Sequence, residues 1–237
     1  MSQQEIVLKL FQFVILVFAL SFHEASHAWV ASRLGDPTAR MLGRVTLNPI
    51  KHIDPLGTVI IPLVMLFLPG FGRYLIGWAK PTPITPRNFK NMRRDEILTT
   101  LAGPASNLLL ALVCLIGLFV IEGLGDQGKL SVVAAVFTSN RVQLPLEGAL
   151  PSMFPVALLF YTGVWLNLIL AVFNLLPLPP LDGSQILRNV LPYNWVRHYD
   201  RLGMFSLILM VLVGGYVVNF FVSPALSVVN HMLLPSM

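Results

Sequence analysis

Apolar positions along this chain run in long blocks separated by short polar loops, and the length of each block sets the element it predicts. A helix that crosses a bilayer needs about 20 apolar residues. Blocks at residues 5–32, 97–121, 153–176 and 204–222 meet that requirement and predict transmembrane helices. The block at 53–68 is shorter, is broken by Pro55 and Pro62, and ends at Pro69-Gly70. It lies between two basic loops, one with Arg33, Arg40, Arg44 and Lys51, the other with Arg73, Lys80, Arg87, Lys90, Arg93 and Arg94. A full crossing would put one of those loops outside, against the positive-inside tendency, so a re-entrant or interfacial hairpin is expected. Loop 122–150 then falls outside, with a surface helix at 130–137 on the outer leaflet. Residues 188–201 fall in the cytoplasm, and the amino terminus lies outside.

Residues 1–31 also admit a signal-peptide reading, since 10–22 has the look of an h-region. Glu5 and Lys9 replace the expected basic cluster, however, and the apolar pattern continues to Trp29 and Val30. The first block is therefore read as a retained helix.

Composition agrees with the block pattern: 55% of residues are hydrophobic, 11% are charged, and the mean hydropathy is +0.74. These values predict a polytopic membrane protein rather than a soluble domain. The net charge of +5 sits in short loops beside apolar blocks. It reads as orientation in a bilayer, not as a nucleic-acid surface. Cys114 is the single cysteine, which excludes an intramolecular disulfide and a cysteine-based metal cluster.

Chemistry enters within the first block, at His23-Glu24-Ala25-Ser26-His27. Residues i and i+4 share one helix face, so both imidazoles reach one metal ion while Glu24 stands beside them as a proton acceptor for water. A polar surface stripe is the plain alternative for such a motif in a soluble helix. At membrane depth, ionisable groups are costly and call for a cavity or a partner. His23 precedes Arg33 by ten positions, which places it roughly 15 Å from the basic edge. Water must then enter from that side.

A catalytic zinc takes three protein ligands, so a third is needed. Asp54 and Asp182 are the acidic candidates beside apolar blocks, and Asp182 is the better placed. It follows Asn174-Leu175-Leu176-Pro177-Leu178-Pro179-Pro180-Leu181, where the prolines interrupt any helix. Non-helical backbone at that depth is tolerated where it lines a cavity. The competing role for Asp182 is N-cap of a helix at 183–190.

Three motifs in order, His23-Glu24-x-x-His27, Gly103-Pro104-x-x-Asn107 and Asn174-x-x-Pro177 leading to Leu181-Asp182-Gly183, resemble the site-2 protease family of membrane-embedded zinc metalloproteases. The resemblance spans about 13–190 and is to a short member without a PDZ domain. It implies one Zn2+ per chain held by His23, His27 and Asp182, with Glu24 as catalytic base and Asn174 holding substrate or the oxyanion. It also implies a transmembrane protein or peptide as substrate, within the lipid bilayer.

The expected fold is all-α and polytopic: one membrane domain over 1–237, with a core at about 6–190 and an extra helix at about 203–223. Segments 41–47 and 74–84 have the proline-edged character of strands, and their pairing predicts a small cytoplasmic-side hairpin or sheet able to accept an unwound substrate. The small residues of Gly103-Pro104-Ala105-Ser106 are expected to serve close helix packing, with Asn107 hydrogen-bonding a neighbouring helix or cavity water, and His52 and Asp54 to serve the loop. A transporter or metal-permeation protein using the same buried groups is the competing function, and an inactive scaffold for membrane clients is a third. The expected location is a bacterial inner membrane with the site toward the cytoplasm.

Overall fold

The computed structural model describes residues 3–67, 77–140, 142 and 149–234. In chain order its helices are α1 (Gln3–Leu34), α2 (Thr38–Met41), α3 (Ile61–Phe67), α4 (Met92–Glu122), α5 (Asp126–Ser139), α6 (Phe154–Asn174), α7 (Asp182–Val190), α8 (Tyr193–Leu202) and α9 (Ser206–Leu233). Among the described residues, 4 helices are long and apolar enough to cross a membrane: Leu8–Leu34, Met92–Glu122, Phe154–Asn174 and Gly215–Leu233. The molecule is an integral membrane protein built around the mutually packed α1, α4 and α6.

Burial is inverted relative to a soluble protein. On α4, Leu108, Leu112, Ile116 and Val120 are exposed at about one-helix-turn intervals, while Thr99, Thr100, Ser106 and Asn107 are buried. The exposed face suits lipid, and the buried polar face turns toward α1 and α6. On α1, Leu10, Val14 and Phe18 form the outward stripe, whereas Leu16, Ala19, His23 and His27 face inward. The small side chains of Ala19, Ala28 and Ala31, all fully buried, let neighbouring backbones approach closely.

Local chemistry sets the start of α4. Asn91 accepts from the Arg94 amide while Asp95 accepts from the Asn91 amide at 2.9 Å, a reciprocal cap that satisfies two otherwise orphaned donors. Pro104 sits inside the same helix. It withdraws one N–H from the ladder beside the buried polar face, where neighbouring helices can compensate.

Three sequence expectations change, and one competing role falls away. No strand forms among the described residues: 42–47 is turn and irregular backbone, and 77–85 runs extended without a ladder, while positions 74–76 of the second expected strand lie outside the described residues. The physical reason is that the carbonyls of Trp78, Lys80 and Pro81 are already taken by side-chain donors. Arg44 donates to the carbonyls of Lys51, Lys80 and Pro81, and Pro81 and Pro83 have no N–H to give. The segment pairs instead with the 52–57 turn, through Lys80 N to His52 O at 2.8 Å and Trp78 N to Gly57 O at 3.2 Å.

The piece at 130–137 belongs to α5, which packs on α6 with Val132, Ala134 and Ala135 fully buried. It is core, not a surface helix, because its small apolar side chains fit closely against α6. The last helix continues past 223 to Leu233, carrying Pro224 inside it. A transmembrane helix tolerates proline when neighbours satisfy the freed carbonyl. Tyr161 ties this end together, donating to Asn230 Oδ1 at 2.7 Å and accepting from Asn140 Nδ2 at 3.1 Å. Finally, Asp182 does not cap α7: Leu181 is at the cap position, and no side chain caps that helix.

The short block becomes a π-helical turn, Pro55–Ile60, followed by α3. Asp54 caps the turn, accepting from the Leu56 and Gly57 amides, and His52 Nε2 donates to Thr46 O at 2.8 Å. Both act in the loop, as expected. The described helical run from 55 to 67 rises only about 20 Å, less than the roughly 30 Å hydrocarbon core, and does not cross by itself.

Asp36, just after α1, was not singled out by the sequence. It is fully buried and accepts from Thr38 N, Thr38 Oγ1, Thr85 N and Asn88 Nδ2 at 2.5–3.1 Å. It thereby fixes 77–88 against the end of α1. Burial works against its charged form, but these bonds outweigh it and hold its pKa below the ordinary 3.8. A depressed folded pKa stabilises fully above the unfolded value and is lost as pH falls through the folded one. Asp36→Asn sets an amide N–H against the Thr85 amide and is expected to cost about 1–3 kcal/mol. Thermal unfolding of detergent-purified protein should show the loss near pH 7, with the gap to wild type closing below pH about 4.

A candidate metal centre between three helices

His23 and His27 occupy the inward face of α1, 4% and 5% exposed. Asp182 comes from the far side of the proline-rich break, delivered by the return of the chain onto the end of α6. Gly183 makes that return possible, since a Cβ there would lie 2.5 Å from the Leu175 carbonyl carbon and the Leu176 oxygen. Only the missing side chain lets α7 begin so close to those carbonyls.

The three groups meet. His23 Nε2 and His27 Nε2 are 3.1 Å apart. Asp182 Oδ2 lies 3.0 Å from the first and 3.4 Å from the second. That oxygen is buried and hydrogen-bonded to neither. Among the described residues, these are the histidine, cysteine and acidic side chains whose ligand atoms cluster within reach of one ion.

Each ring is held from behind. His27 Nδ1 is 2.7 Å from Thr99 O, and His23 Nδ1 is 2.7 Å from Asn107 Oδ1. A carbonyl oxygen has only lone pairs, so Nδ1 of His27 must carry the proton. Its Nε2 then presents a lone pair to the cluster. Lone pairs aimed at one another beside a carboxylate oxygen need a positive charge between them, and a divalent cation fits this donor set.

Glu24 stands next to the trio without joining it. It is half-buried, and its Oε2 accepts from the Thr82 amide at 2.7 Å while its own carbonyl accepts from Thr82 Oγ1 at 3.0 Å. The extended 77–85 segment is therefore latched over Glu24. Asn174 is placed differently: its Nδ2 donates to Leu170 O at 3.0 Å within its own helix. It is partly buried and is not one of the three groups that converge.

Sequence reasoning missed Thr82, Thr99 and Asn167. Thr99 acts through its carbonyl and Thr82 binds the Glu24 carboxylate through its amide, backbone contacts that leave no residue-type signal. Asn167 had one: a carboxamide amid the apolar residues of α6 is costly unless paired. Gly103 of α4 makes room for both rings, since a Cβ there would lie 2.5 Å from Cε1 and Nε2 of His23 and nearer still to His27 Nε2.

Comparison with known proteins gives the same answer along most of the chain. The model of peptidase family M50 matches residues 11–214. YwhC of Bacillus subtilis, whose name assigns it provisionally as a zinc metalloprotease, is 38% identical over 76% of this chain and 68% of its own length. Two mycobacterial proteins named Rip2, with the same provisional assignment, are also similar. The one from Mycolicibacterium smegmatis is 30% identical over 70% of this chain and 52% of its own length. The one from Mycobacterium tuberculosis is 26% identical over 82% and 62%. The chain thus spans about half to two thirds of the curated relatives it matches. No solved structure matches it significantly. Since the match runs through both histidines and the aspartate that meets them, the chain belongs to peptidase family M50, the site-2 protease family.

Proposed function

We propose that this chain is an intramembrane zinc endopeptidase that hydrolyses a peptide bond in or near a transmembrane segment of a membrane protein. The observation that carries this reading is the buried meeting of His23, His27 and Asp182, with an unpartnered carboxylate oxygen at its centre. Two imidazoles and one carboxylate are the ligand set of a hydrolytic zinc that keeps a position open. A zinc ion held by His23, His27 and Asp182 would supply Lewis acidity, polarising the scissile carbonyl and lowering the pKa of water towards about 7.

The chain's own groups handle the proton. Glu24 takes one from the attacking water and passes it to the leaving amine nitrogen, so the water's oxygen ends on the acyl carbon and its protons on the two products. The Thr82 amide holds Oε2 of Glu24, leaving Oε1 to receive the proton. Asn174 spends one N–H on Leu170 O, and the second N–H of its amide is the donor for the developing oxyanion. The names of the relatives, which specify zinc and proteolysis, support the reading. So does the depth of His23, roughly 15 Å from the basic end of α1. We place the cut near the cytoplasmic leaflet of a bacterial inner membrane, because the loops flanking the site carry most of the positive charge.

Metal analysis of purified protein tests this directly. Wild type is expected to carry one zinc per chain, and Asp182→Ala to lose most of it along with cleavage of a membrane-anchored substrate. Losing a hydrogen-bond partner behind a ligand weakens zinc about 10- to 100-fold, and loss of a ligand itself should exceed that. Equal zinc in the two proteins would overturn the assignment.

A further inference from the structure

We infer that Asn107 and Asn167 form a one-way hydrogen-bond relay that fixes the tautomer and ring plane of His23 for metal binding. The inference rests on the metal site proposed above and adds two positioning residues to it. The relay crosses all three core helices. His23 Nδ1 is 2.7 Å from Asn107 Oδ1, Asn107 Nδ2 donates to Asn167 Oδ1 at 2.9 Å, and Asn167 Nδ2 donates to Gly163 O at 2.9 Å.

Its direction follows from its last link. An amide side chain can in principle be turned end for end, and a histidine can hold its proton on either nitrogen. A backbone carbonyl has no such freedom, because it only accepts. Gly163 O therefore draws the N–H end of Asn167, which leaves Asn167 Oδ1 facing α4. That oxygen draws the N–H end of Asn107, which leaves Asn107 Oδ1 facing α1. His23 must then carry its proton on Nδ1 and keep the lone pair of Nε2 for the trio.

Burial gives the relay its force. Asn107, Asn167 and His23 are 0%, 2% and 4% exposed, so water cannot substitute for a reversed link, and reversal would leave two donors or two acceptors face to face. His27 reaches the same state in one step through Thr99 O. His23 has no backbone carbonyl in that role and uses two carboxamides to reach one on α6. The same bonds set the ring plane, since a histidine held at Nδ1 can swing Nε2 only by breaking that bond. Outer partners of this kind commonly orient metal-ligating imidazoles.

The test compares zinc affinity, by chelator competition, with the visible absorption of the Co2+-substituted protein, whose bands report ligand geometry. Asn107→Leu removes both links and is expected to weaken zinc about 10- to 100-fold and to change the cobalt bands. Asn107→Asp keeps an acceptor toward His23 Nδ1 but gives up the donor to Asn167 Oδ1; it is expected to weaken zinc less than Asn107→Leu and to keep the wild-type bands, a partial rescue that depends on the acceptor rather than on packing. Asn167→Ser breaks only the distal link; it is expected to weaken zinc less than Asn107→Leu, and it answers the question if Asn107→Leu does not fold. A folded Asn107→Leu protein, or failing that Asn167→Ser, with wild-type affinity and unchanged bands overturns the relay. Wild-type protein that binds zinc no better than Asp182→Ala would instead overturn the metal site beneath it.

Discussion

Glu24→Gln protein is expected to retain zinc and to lose cleavage of a membrane-anchored substrate by about 10²- to 10⁴-fold, the range for removing a general base. The substitution conserves shape. A glutamine oxygen can still accept from the Thr82 amide, as Oε2 of Glu24 does at 2.7 Å, so the 77–85 segment keeps its anchor. None of the three clustered ligand atoms belongs to residue 24, so metal content should not follow activity down. What disappears is a carboxylate able to take a proton from water. Parallel measurement of zinc content and substrate cleavage separates the outcomes: cleavage at the wild-type rate would remove Glu24 from the mechanism, and loss of zinc would make it a ligand.

The placement of His23 and His27 on one face, with Glu24 to one side of it, was legible in the sequence because helical spacing is a geometric rule. His23 and His27 had to share a face, and Glu24 had to stand aside from it. The partnership with Asp182 was legible for a different reason. Prolines at 177, 179 and 180 forbid a helix at a depth where irregular backbone needs a cavity, and α7 indeed begins at Asp182. Helix ends were less so: α9 runs on through Pro224 to Leu233, since apolar blocks specify that a helix exists better than where it stops.

The expected β-hairpin failed because strand character in 41–47 and 74–84 came from composition and proline spacing alone. Nothing in the sequence announced that the Arg44 guanidinium would occupy the Lys51, Lys80 and Pro81 carbonyls. Asp36 escaped notice for a related reason. Its four donors come from Thr38, Thr85 and Asn88, and only the fold brings the last two beside it. Contacts made through backbone atoms or across distant loops carry no periodicity, and periodicity is what a sequence displays.

Gly103 joins the two kinds of contact and supports the second large effect. Gly103→Ala is expected to weaken zinc binding at least about 10-fold and to cost about 1–3 kcal/mol of stability through overpacking. A Cβ at that position would lie 2.5 Å from Cε1 and Nε2 of His23 and closer still to His27 Nε2. A loose side chain would swing aside, but these rings are pinned, His27 by Thr99 O and His23 by Asn107, each at 2.7 Å. Thr99 and Asn107 share α4 with the glycine, so retreat of the rings from the new methyl means breaking those bonds or moving Nε2 away from Asp182. Gly117→Ala provides the control. Its Cβ would meet the Phe160 ring at 2.8–3.0 Å, so it strains the same helix against α6 far from any ligand, and it should lower the thermal midpoint while leaving zinc affinity intact. If both alanine variants were destabilised alike and both bound zinc as wild type does, Gly103 would be a helix-packing residue and nothing more. A selective loss of zinc at Gly103 would mean that the closeness of α4 to α1 is set by the imidazoles it must accommodate.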